Sequence, residues 1–129
     1  MIVDTSAIVA VLLGEVGSEA IEASLMSSTS SISAATRVEL GIVVEARTGP
    51  VGVQLLDELL DRLAVEIVDV DEDQASEAII AWRRFGKGRH PAGLNFGDTF
   101  AYALAMRRRE PLLFVGDDFS RTDVLRVER

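Results

Sequence analysis

The chain opens Met1-Ile2-Val3 and passes without a break into Asp4-Thr5-Ser6 and the apolar stretch Ala7–Leu13. An apolar run that short, ending in a carboxylate and a helix start, reads as a strand buried on both faces. Such strands need helices above and below them. The pattern recurs at Leu112–Val115, which leads into Gly116-Asp117-Asp118, and in weaker form at the β-branched, alternating Val65–Val70 and around Ile32. Helical spacing or capping predicts helices over Ala7–Leu13, Gly17–Ser27, Ala35–Arg47 (closed by Gly49-Pro50), Val51–Leu63, Glu72–Phe85 and Asp98–Arg109. Gly86–Phe96 reads as a loop, and Val124–Val127 as a last edge strand. The expectation is one α/β domain over residues 1–129, with a central, mostly parallel sheet of four to five strands flanked by helices. In such sheets ligands sit outside the carboxyl ends of the strands. That edge is where Asp4 and the Asp117-Asp118 pair fall.

Composition narrows the chemistry. The 129 residues contain no cysteine and one histidine, His90, which excludes disulfides, thiolate catalysis and Cys-based zinc sites. No apolar run reaches the roughly 20 residues a bilayer crossing takes, and no cationic leader precedes the first apolar run, so a soluble, cytoplasmic protein is expected. The net charge of −8 argues against general electrostatic binding to nucleic acid. Its distribution tempers that conclusion. All of the 13 bases except Lys87 are arginine, and they cluster at Arg83, Arg84, Lys87 and Arg89 and again at Arg107–Arg109. Arginine is suited to forked phosphate contacts.

Each acidic position also has an ordinary explanation. Asp4 can serve the dipole of the helix it precedes, and Asp98 in Asn95-Phe96-Gly97-Asp98-Thr99 can cap. Glu39 can lie on a solvated face beside Arg37 or Arg47, and Asp117 and Asp118 can form a turn. Taken together they suggest something else. If Asp4, Glu39, Asp98 and one of the Asp117-Asp118 pair converge on one cleft, their mutual repulsion raises their pKa values unless a cation neutralises it. Oxygen-only ligation selects Mg²⁺ or Mn²⁺ over zinc. Carboxylate-held Mg²⁺ is the usual setting for phosphoryl chemistry.

Four segments carry a resemblance: Met1-Ile2-Val3-Asp4-Thr5-Ser6-Ala7, Thr36-Arg37-Val38-Glu39-Leu40, Gly97-Asp98-Thr99-Phe100-Ala101-Tyr102-Ala103-Leu104-Ala105, and Leu112-Leu113-Phe114-Val115-Gly116-Asp117-Asp118-Phe119 with Thr122-Asp123. In this order, over nearly the whole chain, they resemble the PIN-domain ribonucleases, and more narrowly the VapC-type toxins of bacterial toxin–antitoxin pairs. The resemblance implies a PIN domain over residues 1–129. It makes Asp4, Glu39 and Asp98 catalytic, with Asp118 as the fourth acid and Asp117 beside it as the alternative. It implies Mg²⁺ (or Mn²⁺) on Asp4 and Asp98, and endonucleolytic hydrolysis of structured RNA of the tRNA or rRNA class. A cognate VapB-like antitoxin and a homodimer are the implied partners. On this reading Thr5, Ser6 and Thr99 support the carboxylates, Arg83–Arg89 and His90 form a phosphate-binding rim, and Ile8, Val11, Leu12, Leu56, Leu59 and Leu60 offer an antitoxin groove.

Two other readings share the composition. A receiver-like signalling domain also holds Mg²⁺ in an acidic α/β pocket, with Asp69 or Asp71 as acceptor, but it needs a lysine near the sheet and the only one is Lys87 in a loop. A non-catalytic binding module on the same scaffold is the second.

Overall fold

Strand β1 (Ile2–Val3) lies inside a four-stranded sheet whose neighbours run parallel to it: β2 (Ser31–Ser33) on one side and β4 (Leu112–Leu113) on the other, with β3 (Glu66–Val68) outside β2. The computed structural model describes all residues from Met1 to Arg129. Ile2 is in register with Leu112 and Val3 with Leu113. Because successive strand residues point to opposite faces, each pair serves a different layer. Ile2 and Leu112 join the core beneath α4 (Glu72–Phe85) and α5 (Phe96–Arg108), with Tyr102, Phe114 and Phe119. Val3 and Leu113 join the core beneath α1 (Thr5–Leu12), α2 (Ser18–Ser27) and α3 (Ala34–Arg62), with Ile8, Ile21, Leu40 and Leu56. All four strand side chains are almost fully buried, as the unalternated sequence requires.

Several boundaries differ from expectation. The two helices predicted on either side of Gly49-Pro50 form one element, α3, broken at Gly49, whose left-handed φ of 69° an L side chain resists. Val124–Val127 is not a strand. It makes a single parallel bridge, Arg126 to Leu112, in which Leu112 N–H donates to Leu125 O at 2.8 Å and Val127 N–H donates to Leu112 O at 3.1 Å. On α4, Ala75, Ala78, Ile79 and Trp82 stand at helical spacing, but they are not the buried stripe. Ala78, Ala81 and Phe85 face the core, while Ile79 and Trp82 are 52% and 45% exposed. No helix is long and apolar enough to cross a membrane.

The strand order places the switch point beside β1. From β1 the chain builds outward to β2 and β3, then returns through α5 to lay β4 on the opposite side. A crevice opens at the carboxyl ends of β1 and β4 in such an arrangement.

Candidate active site

Asp4 is the residue that leaves β1, and its N–H still donates to Leu113 O at 3.0 Å. It is also the N-cap of α1. Its Oδ2 accepts from Ser6 N–H at 3.0 Å and from the Ser6 hydroxyl at 2.6 Å. Thr5 and Ser6 fall inside the helix, and the Asp4 carboxylate satisfies a free N–H of its first turn. Only one oxygen is used. Oδ1 is buried with no hydrogen-bond partner on a residue 5% exposed. The Ser6 hydroxyl oxygen in turn accepts from Val115 N–H at 3.0 Å, which ties the exit of β4 to the start of α1.

Asp98 arrives from the other layer. Asn95 caps α5, and Asp98 three positions on completes a capping box: Asp98 N–H donates to Asn95 Oδ1 at 2.8 Å, and Asn95 N–H donates to Asp98 Oδ2 at 3.0 Å. Asp98 is 6% exposed. Burial pushes its carboxyl up from 3.8 to about 7; the Asn95 N–H opposes this, and the neighbouring charges of Asp4, Asp118 and Glu39 add to it. Burial also raises Asp4, the Ser6 hydrogen bonds offset part of the rise, and Glu39 adds repulsion.

Glu39 projects from α3 into the same cleft, where Thr5 Oγ1 donates to its Oε1 at 2.5 Å. It pairs with neither expected arginine. Arg37 reaches across the α3 break to Asp57 at 2.9 Å, and Arg47 has no carboxylate within 4 Å. The cleft, of about 320 Å³, is lined by Asp4, Glu39, Asp98 and Asp118, by Glu15 (an acid the sequence did not single out), and by Asn95 and Arg47. Asp118 stands at the exposed rim, and its charge reaches Asp98; Asp117 does not line the cleft. The structure thus brings together the four carboxylates named from sequence.

Other expectations are corrected. Thr99 does not support a carboxylate, because its hydroxyl donates to Phe96 O at 2.6 Å within its own helix. The cluster Arg83–Arg89 with His90 does not rim the cleft. Arg84 pairs with Asp123 at 3.2 Å, Arg89 lies 4.6 Å over the Trp82 ring, and His90 Nδ1 accepts from Ala92 N–H. Asp123, part of the fourth motif, is likewise engaged by the Tyr102 hydroxyl and by Arg84 rather than by the cleft. The basic residue at the cleft is Arg47, which sequence offered only as a partner for Glu39; its place two helical turns beyond Glu39 on α3 was the available signal.

The donors suit a hard cation: carboxylate oxygens only, one of them buried and unpartnered. No three acidic or histidine side chains are placed to hold one metal ion together. Mg²⁺ needs fewer, since it keeps several waters and takes one or two carboxylates.

The sheet switch point is lined by carboxylates from separate segments of the chain, and the PIN domain family matches residues 1–125. A Ribonuclease VapC of Mycolicibacterium smegmatis is 48% identical over 128 residues, covering 98% of this chain and 99% of that protein. Ribonuclease VapC30 of Mycobacterium tuberculosis is 47% identical, with 98% of each chain covered. The chain belongs to the PIN-domain VapC ribonucleases. Among solved structures, Mycobacterium tuberculosis VapC20, described as a sarcin-ricin loop cleaving toxin, superposes with a TM-score of 0.79 at 18% identity, covering 99% of this chain and 98% of that one. VapBC2 of Rickettsia felis, bound to a promoter DNA fragment, superposes with a TM-score of 0.75 at 18% identity, covering 98% and 96%. The receiver-like reading falls with the fold. Asp71 caps α4 and pairs with Arg107, and Lys87 lines a separate groove between α4 and α5.

Proposed function

We propose that the chain is the toxin of a toxin–antitoxin pair, a Mg²⁺-dependent endoribonuclease that hydrolyses phosphodiester bonds of structured RNA of the tRNA or rRNA class in the cytoplasm. The observation that carries this reading is the unpartnered Oδ1 of Asp4, buried in one cleft with an Asp98 whose carboxyl burial pushes up to about 7. A cation relieves both. Asp4 Oδ1 and Asp98 would hold it, with Asp118 at the rim. When bound, Mg²⁺ or Mn²⁺ would supply an acidified water and neutralise charge at phosphorus. Ser6 fixes the Asp4 carboxylate through two donors, so that Oδ1 stays presented. Thr5 orients Glu39, which accepts a proton from the attacking water. Arg47 engages the phosphate flanking the scissile bond.

Two further surfaces accommodate partners. Val11, Leu12, Leu55 and Leu59, edged by Glu22 and Glu58, line a groove between α1, α2 and α3 suited to the apolar tail of a VapB-like antitoxin. Of the residues named from sequence, Ile8, Leu56 and Leu60 instead belong to the core, Val11 and Leu12 line this groove, and Leu59 belongs to the core and forms part of the groove's floor. A second groove of about 660 Å³ between α4 and α5 exposes Ile79, Trp82 and Phe96, the last by 80%, and suits a second copy of the chain. The reading as a toxin is tested by induced expression without the antitoxin. Growth should stop with the wild-type chain and continue with Asp4→Asn; equal arrest by both would refute a catalytic toxicity.

A further inference from the structure

We propose that Gly97 is a positioning residue whose missing side chain is the slot holding the Glu39 carboxylate in the cleft; this rests on the nuclease reading above. A Cβ built at Gly97 would lie 1.9 Å from Glu39 Oε2, 2.5 Å from its Cδ and 2.9 Å from Oε1. The two residues come from different layers, Glu39 from α3 and Gly97 from the first turn of α5. Nothing in the backbone calls for glycine here. Unlike Gly49 or Gly116, Gly97 has no left-handed φ, and alanine is the better helix former. Elsewhere a new Cβ would meet Thr48, Trp82 or Arg37, none of which is one of the four acids. The glycine is therefore explained by space for one carboxylate, next in sequence to Asp98.

The atoms in the way are the far end of a flexible side chain, so an alanine methyl would displace Glu39 without disturbing the core. Displacement would pull Oε1 away from the Thr5 hydroxyl and take the charge of Glu39 away from Asp4 and Asp98. Gly97→Ala should therefore reproduce the loss of Glu39 and leave folding intact. Three measurements test this. A crystal structure of Gly97→Ala grown in EDTA should show the Thr5–Glu39 hydrogen bond broken; a bond kept at its present 2.5 Å overturns the proposal. Unfolding should give a Tm no lower than wild type. RNA cleavage, measured for Gly97→Ala, Glu39→Gln and the double variant, should fall more than tenfold in the first two, with less than a twofold further loss on combining them, and Mn²⁺ affinity should change by the same factor in both single variants. Independent, multiplying losses would show that Gly97 acts other than through Glu39. If wild type neither binds Mn²⁺ nor cleaves RNA while the crystal structure shows Glu39 displaced, the metal-dependent reading fails and the slot stands.

Discussion

Without divalent metal at pH 8, Asp98→Asn should stabilise the protein, although it removes a charged member of a capping box. Asp98 is buried, and its carboxyl is raised from 3.8 to about 7. At 1.36 kcal/mol per pH unit, ionising it in the native state costs up to about 4 kcal/mol. The sign follows from linkage. Between the two values the native state binds the proton that the unfolded chain has lost, so wild-type stability is highest below about pH 4 and falls as pH rises to about 7. Asparagine has no such ionisation, and its side-chain oxygen can still accept from Asn95 N–H at similar length. Allowing about 1 kcal/mol for the weaker, uncharged cap, the net gain at pH 8 is roughly 1–3 kcal/mol. The gain should vanish near pH 4. Thermal unfolding of both forms at pH 4, 6 and 8 in EDTA measures it. Repetition in Mg²⁺ should raise wild type more than the variant, by about 1.4 kcal/mol at ten times the dissociation constant. A variant destabilised equally at all three pH values, with an undiminished response to Mg²⁺, would show that Asp98 is a cap and nothing more.

Arg47→Ala should weaken RNA binding about tenfold and flatten its dependence on salt, because one phosphate contact is lost; filter binding to the catalytically dead Asp4→Asn form checks this, and an unchanged salt slope would remove Arg47 from the interface. Trp82→Glu, which places a charge in the exposed α4–α5 groove, should convert a dimer to a monomer in light scattering while cleavage of RNA by the folded monomer remains measurable; a persistent dimer would move the interface elsewhere.

The buried strands were legible because short, unalternated apolar runs have few other uses: Ile2-Val3 and Leu112-Leu113 supply both layers of core. The range of α4 was legible, but the side facing the core was not. Its apolar residues cover two faces, and periodicity alone does not say which of them packs on α5 and which meets solvent. The four acids were legible through their motifs. Weighing capping against function, however, set apart roles that Asp4 combines, since one oxygen caps α1 while the other remains unpartnered. The basic rim was misplaced because charge density along the chain does not report partners. Arg84 and Arg89 are occupied by Asp123 and Trp82, whereas the isolated Arg47 faces the acids. Gly97 opens one of the motifs, but its reason was not legible, because that reason is a neighbour distant in sequence.

Cleavage of a structured RNA by the purified protein, titrated with Mg²⁺ and Mn²⁺ and compared with Asp4→Asn, tests the central claim most directly. Asp4 contributes the one buried carboxylate oxygen in the cleft without a hydrogen-bond partner. Wild type should cut at discrete sites only with metal, lose all activity in EDTA and regain it when metal is restored, and the isosteric Asp4→Asn form should fall at least a hundredfold at every metal concentration. Undiminished cleavage by wild type in chelator, or by Asp4→Asn in Mg²⁺, would contradict it.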